Sequence, residues 1–455
     1  MAFSMQLFCV LFILMCVLLF FSVQGRMSAV FSVLFAVLLL VPTDAMGIIS
    51  GTSYNTPGKF NISLEGYAVI FAFLIVVVIK RGTLRVKSRK IVLTMLFALM
   101  LMLSIRILAD GGGAASNKML DGYLLPAIFA VLLLGYLDAH SLPKVLKTIY
   151  VCILISAVIA CIEFVIGRSL FFHDYYMANI KWYKSVYDST VWGVMFRTTA
   201  LLGHPLVGGT YYVLALVYFL NTRAKGRWIA SAAQAIVLAL AIFSTNSRGV
   251  IFCAIGYTLY YLLKQKKYFK LSMVAFAGLI ALSFIDFSSL YNMIFSRDVS
   301  GSSVSVRVRA LGSILSIPGS VVLKGTGYNN TSSLLNSLDF SGNFELSFLI
   351  VLVENGLIGF VAWLVSLITL YNKRMSKEID GMKVKSMVNG MIVCFLAVSA
   401  TSNSFGDPGT LNYILWVLLA FTRVASAETN ELDARKEERL YYGNHMAYQE
   451  RQTEV

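Results

Sequence analysis

Residues 346–370 read LSFLIVLVENGLIGFVAWLVSLITL, with Glu354 as the only charge, and Lys373 and Arg374 follow at once. As a helix this run is about 37 Å long, enough to cross the roughly 30 Å hydrocarbon core of a bilayer. Working outward, similar apolar stretches recur at about 3–23, 27–42, 64–79, 91–109, 122–138, 147–167, 203–220, 228–244, 249–263, 270–286, 387–402 and 408–424. With the first run they predict an all-α polytopic membrane protein of about 12–13 transmembrane helices. A long periplasmic loop precedes the last three spans. Residues 1–425 form the transmembrane domain, including loops 168–202 and 287–345, and residues 426–455 form a polar cytoplasmic tail.

Composition points the same way. The 455 residues are 58% hydrophobic and 13% charged, with a mean hydropathy of +0.75. A soluble domain carries roughly 25% charged residues, so a soluble globular chain is excluded. The formal net charge of +15 would suggest nucleic acid in a soluble protein. Here the positive-inside rule accounts for much of it, and no nucleic-acid partner is expected. The six cysteines all lie in apolar runs, without CxxC or a nearby His, so neither a zinc site nor a disulfide framework is indicated. Residues 1–24 hold no Lys or Arg, and Arg26 follows the first apolar run. That order predicts a retained first helix with its N-terminus outside.

The connectors alternate in charge. Lys80 to Lys90, Arg223 to Arg227, Lys264 to Lys270 and Lys373 to Lys385 are basic, and all four fall on one side of a thirteen-span chain. That side holds most of the 38 Lys and Arg residues and is read as cytoplasmic, with the C-terminus inside. Three stretches then lie outside: polar 43–63, aromatic-rich 168–202 with Trp182, Tyr183, Tyr187 and Trp192, and 287–345. The aromatics read first as a membrane-interface belt. Within the longest loop, Leu311 to Leu323 fits an amphipathic helix along the membrane surface.

The outer side is poor in basic residues, so those it has carry information. Arg197 opens Arg197-Thr-Thr-Ala-Leu-Leu-Gly203-His204-Pro205, Arg248 lies in Ser247-Arg248-Gly249, and Arg307 and Arg309 lie in the long loop. A guanidinium keeps its charge and binds phosphate oxygens in pairs. A cluster of such forks suits a lipid pyrophosphate; singly, each Arg equally fits a carboxylate partner or headgroup snorkelling. Glu345, at the start of the 346–370 run, is placed either as a general base or as a neutraliser of one arginine. Glu354, deeper in the run, reads as a brace near Gly356. Gly325-Thr-Gly327-Tyr328 resembles a phosphate-cradling turn, but without strand-then-helix context a tight turn is the better reading. His204 has no second ligand nearby for a metal.

These residues, in this order, resemble the O-antigen ligase and polymerase family of membrane glycosyltransferases. Four patterns carry the resemblance: Arg197 followed by Gly203-His204-Pro205; Ser247-Arg248-Gly249 opening a span; Arg307 ahead of Gly325-x-Gly327; and Glu354-x-Gly356-x-x-Gly359. They cover about residues 195–360. In the ligase branch a catalytic His followed by Asn stands nine residues before the Glu of the last pattern. Here that position is Glu345, followed by Leu346, which favours the polymerase branch.

The resemblance implies a bacterial inner-membrane polymerase that joins undecaprenyl-pyrophosphate-linked oligosaccharide repeats on the periplasmic face. Glu345 and Arg307 would be catalytic, with Glu345 as base. Arg197, Arg248, Arg309, His204, Tyr328 and Asn343 would bind substrate. No metal or other cofactor is implied, and the partners are the lipid-linked glycan, membrane lipid and a chain-length regulator protein. Two alternatives remain open: a ligase transferring glycan to the lipid A core, and a flippase for the lipid-linked glycan. A flippase expects charges deep in several spans, whereas Glu163 and Arg106 lie toward span ends.

Overall fold

The structure, a computed structural model, describes residues 27–41, 63–79, 89–110, 119–179, 183–184, 187, 196–222, 228–266, 312, 317, 319–327, 334, 347–400 and 411–426. Among these residues there is no strand, only a single bridge between Ile379 and Met382. The helices are α1 (Met27–Leu40), α2 (Leu64–Ile79), α3 (Arg89–Asp110), α4 (Leu125–Tyr136), α5 (Leu142–Ile166), α6 (His173–Asn179), α7 (Pro205–Thr222), α8 (Trp228–Ser244), α9 (Arg248–Lys264), α10 (Gly319–Lys324), α11 (Ser347–Leu370), α12 (Val384–Ser399) and α13 (Leu411–Ser426). Two segments, Ala139–Ile166 and Ser347–Leu370, are long and apolar enough to cross a membrane; several others are apolar but shorter. The predicted apolar stretches 3–23 and 270–286 lie outside the described residues, as do the C-terminal residues 427–455.

Local chemistry sets the helix ends. Pro126, Pro143 and Pro205 stand in first turns, where the missing N–H costs nothing. Helix α5 stops at Gly167 in the left-handed conformation (φ 74°), whose N–H bonds the Glu163 carbonyl at 2.8 Å. One continuous core joins the helices. Phe31 and Phe35 of α1 meet Phe129 of α4, and Tyr150 of α5 stacks on Tyr218 of α7 at 4.6 Å. Helix α7 lies amid α5, α8, α9 and α12, while α3 packs on α11.

Contacts at the helix ends sort the bundle into two faces. On one face, His140 Nδ1, at the start of the α5 segment, lies 3.5 Å from Asp380. The same face holds the α11–α12 connector, where the Ser376 N–H donates to the Ala425 carbonyl (3.2 Å) and the Asn372 side chain donates to Ser426 Oγ (2.8 Å). Arg423 of α13 caps α11 there, donating to the carbonyls of Thr369, Leu370 and Tyr371. Lys264, at the end of α9, shares a groove with Lys377, Lys383 and Lys385 on this face. The other face holds Glu163 at the far end of α5, the segment 196–204, and the turn from Ser244 to Arg248. The basic connectors that fall within the described residues, at Lys264–Lys266 and 371–385, thus share one face, while Arg197 and Arg248 share the opposite one.

Candidate active site

Segment 196–204 is held by a buried carboxylate. Glu163 is 0% exposed. Its Oε1 accepts from Ser169 Oγ (3.1 Å) and Leu170 N (3.0 Å), and its Oε2 from Thr199 N (3.0 Å) and Ala200 N (2.8 Å). A buried charge is costly unless its lone pairs are filled, and this one is filled chiefly by loop N–H groups. It therefore dictates the path of the loop, including Ala200 at φ 46°, a conformation that costs any side chain with a Cβ. Sequence reading noted Glu163 only as a charge near a span end; what signalled its role was a lone carboxylate at the close of an otherwise apolar run.

The same segment is pinned to the end of α8. The Thr198 hydroxyl lies 2.8 Å from Ser244 Oγ, the Thr198 N–H donates to the Ser244 carbonyl (3.2 Å), and Arg197 Nε donates to the Thr245 carbonyl (3.0 Å). Three residues beyond Thr245, Arg248 opens α9. Ser247 stands at its N-cap without a side-chain cap hydrogen bond, so the first-turn N–H groups face an uncapped, electropositive end. Among the described residues the Arg248 side chain has no ion-pair partner.

His204 precedes the first turn of α7. Its Nδ1 accepts from the Leu206 N–H at 3.2 Å, and its carbonyl accepts the Gly208 N–H at 3.0 Å. The ring thus caps α7, and its hydrogen sits on Nε2, where it can donate. Arg197 is close enough to act on the ring electrostatically. Helices α7 and α9 approach so tightly near these ends that a Cβ on Gly209 would meet Val250 at 2.7 Å. Arg197 thus lies beside His204 and is bonded to the Ser244–Arg248 turn, while Arg248 opens the helix that packs against α7. Arg307, Arg309, Tyr328, Asn343 and Glu345 lie outside the described residues.

The glycine patterns form a second, structural device. Helix α11 breaks at Gly356 (φ 69°, ψ 175°), which exposes the carbonyls of the preceding turn. The Thr326 N–H donates to Val353 (2.8 Å), the Gly327 N–H to Glu354 (3.2 Å), and Arg106, 1% exposed, also donates to the Glu354 carbonyl. A Cβ on Gly325 would stand 2.6 Å from Gly356 N, and one on Gly356 would stand 2.6 Å from Gly325 N. The Gly-Thr-Gly stretch is thus the tight turn, and two of its N–H groups are used to fill a helix break. Its neighbour α10 lies against α11 through Val321 and Val322, beside Leu349, Ile350 and Val353; the rest of the Leu311–Leu323 stretch is largely outside the described residues.

Buried polar groups continue from this break. Asn355 Nδ2 reaches Tyr123 OH (3.3 Å), and Asp121 accepts from Ser63 N (2.6 Å), Ser63 Oγ (3.0 Å) and Tyr413 OH (3.5 Å). In the aromatic loop, Tyr183 is buried with Tyr176 and Phe196; its oxygen accepts from Ser169 N (2.8 Å) and lies 3.0 Å from His173 Nδ1. Burial pushes the Tyr183 phenol up to about 12. Trp182 and Trp192 lie outside the described residues.

Compared with protein-family models and with curated proteins, the chain matches none of them.

Proposed function

We propose that the chain spans the bacterial inner membrane many times, lysine-bearing face in the cytoplasm, and polymerises undecaprenyl-pyrophosphate-linked oligosaccharide repeats at its periplasmic face. The observation that carries this reading is that Arg197, bonded to the Thr245 carbonyl, and His204, at the start of α7, lie on the same face as the start of α9 with Arg248, opposite the lysines. Fixed cations beside uncapped helix N–H groups suit an anionic leaving group. The resemblance in motif order supplies the substrate class.

In the proposed reaction an acceptor sugar hydroxyl attacks the anomeric carbon of the donor repeat. Glu345 takes the hydroxyl proton as the new glycosidic bond forms. The bond from the anomeric carbon to the pyrophosphate oxygen breaks, and undecaprenyl pyrophosphate departs. Arg197, Arg248, Arg307 and Arg309 take up its charge, and His204 donates from Nε2. Tyr328 and Asn343 bind the sugars, and a chain-length regulator protein sets when extension stops.

Purified protein incubated with lipid-linked repeats should yield dimers and longer ladders in detergent, without a membrane gradient. Glu345→Gln and Arg307→Ala should leave single repeats; full ladders from both variants would sink the site assignment. Removing one preorganised charge donor typically costs on the order of 10²–10³ in rate. Arg248→Ala should therefore lose about 10²-fold in polymerisation with an unchanged melting temperature, and Arg248→Lys should recover part of it. Transport of the glycan across vesicles without bond formation would identify a flippase instead.

A further inference from the structure

On the face opposite Arg197 and Arg248, a cavity of about 970 Å³ opens between α9 and α12. Its mouth carries Lys264, Lys377, Lys383 and Lys385 against a single carboxylate, Glu378. Its walls also carry Cys253, Val393 and Ala397, and Val393 is 63% exposed. The mouth does not fit a purely structural gap, because four ammonium groups repel one another unless an anion lies between them.

The backbone that carries three of the lysines is braced, and the fourth has side-chain contacts of its own. The Ile379 and Met382 backbones exchange two hydrogen bonds (3.0 and 2.9 Å), closing a tight turn through Asp380 and Gly381, both with positive φ. Asp380 is tied to His140, and the connector is tied to α13 through Ser376 and Asn372. Lys264 lies over the Tyr260 ring at 5.4 Å and donates to its hydroxyl at 3.1 Å. The groove is thus built on both sides: one wall from the end of α9, the other from a braced turn leading into α12.

We propose that this groove binds an anionic phospholipid of the adjacent leaflet, its phosphodiester among the four lysines and an acyl chain along Cys253, Val393 and Ala397. A free phosphate would satisfy the lysines but make no use of the apolar wall. A zwitterionic lipid would cover the wall but bring no net charge to the mouth. Lysines are hydrated point charges without the fork geometry of arginine, so the site selects charge rather than headgroup shape. The inference rests on the membrane-spanning part of the proposed function and is independent of the polymerase chemistry.

The test uses full-length protein in detergent, titrated with phosphatidylglycerol or phosphatidylcholine and read by native mass spectrometry. Phosphatidylglycerol should be retained in preference to phosphatidylcholine. Lys264→Ala and Lys385→Ala should each weaken its retention about five-fold, with phosphatidylcholine binding unchanged. Val393→Asp should weaken retention with all four lysines present. Equal retention of the two lipids by the unaltered protein overturns the proposal, and that measurement needs no variant to fold. Displacement of phosphatidylglycerol by inorganic phosphate at equal concentration also overturns it, and assigns the lysines to a soluble anion. Extraction of the protein from membranes by alkaline carbonate would refute the spanning reading itself. Resistance to carbonate with no lipid preference refutes this inference alone.

Discussion

At the scale of single residues, Glu163 has more structural leverage than any of the arginines it helps to place. Its two oxygens hold Ser169, Leu170, Thr199 and Ala200, so the loop that carries Arg197 and His204 hangs from one buried carboxylate. Gln at this position keeps the shape but turns an NH2 group toward N–H donors. Unsatisfied buried donors cost about 1–3 kcal/mol each, so Glu163→Gln should destabilise the protein by about 3 kcal/mol. It should also lose polymerisation, although Glu163 touches no substrate in the proposed reaction. A melting curve that matches the unaltered protein would show that the loop has other support. Arg197 and His204 were singled out in sequence as an Arg ahead of Gly-His-Pro. The role of Glu163 was not legible there, because its partners lie up to 37 residues away and are mostly backbone N–H groups, which no residue type announces.

Among elements, the turn at 325–327 and the break in α11 act as one unit. Separate patterns along the chain, Gly-x-Gly and Glu-x-Gly-x-x-Gly, meet face to face, each glycine making room for the other's backbone. Gly325→Ala and Gly356→Ala each place a Cβ against backbone and at positive φ, so each should cost about 2–4 kcal/mol. Because they damage the same contact, the double variant should lose clearly less than the sum, a non-additivity measurable by a double-mutant cycle on thermal or denaturant unfolding. Strict additivity would mean that the two glycines act independently. Apolar run length was enough to find the long helices: each predicted stretch within the described residues is helical, with ends shifted by a few residues, whereas the short α6 falls in a segment read as a loop. It missed the break inside 346–370, because Glu354-Asn355-Gly356 interrupts a run whose flanks are apolar on both sides, and a single Gly does not by itself end a helix.

For the whole molecule, the two faces give a topology that can be measured. Asp174 and Lys377 are both exposed, on loops assigned to opposite sides. Asp174→Cys should react with a membrane-impermeant maleimide in intact spheroplasts. Lys377→Cys should react only after permeabilisation. The reverse pattern would move the proposed chemistry to the cytoplasm. Charge counting along the sequence put Lys264 and the 373–385 connector on one side, and in the structure the two share a face. It could not show that those lysines flank a groove, because adjacency of α9 and α12 depends on packing between helices far apart in the chain.

The buried contact between Arg106 and the Glu354 carbonyl spans 248 residues. During synthesis at about 5–20 residues per second, α3 is made roughly 12–50 s before that acceptor exists. Asp121 waits longer still for Tyr413, 292 residues downstream. The early helices are therefore made well before some of the polar groups that match them. The last third of the chain completes the first third, so truncation near the C-terminus is felt at the opposite end of the gene product.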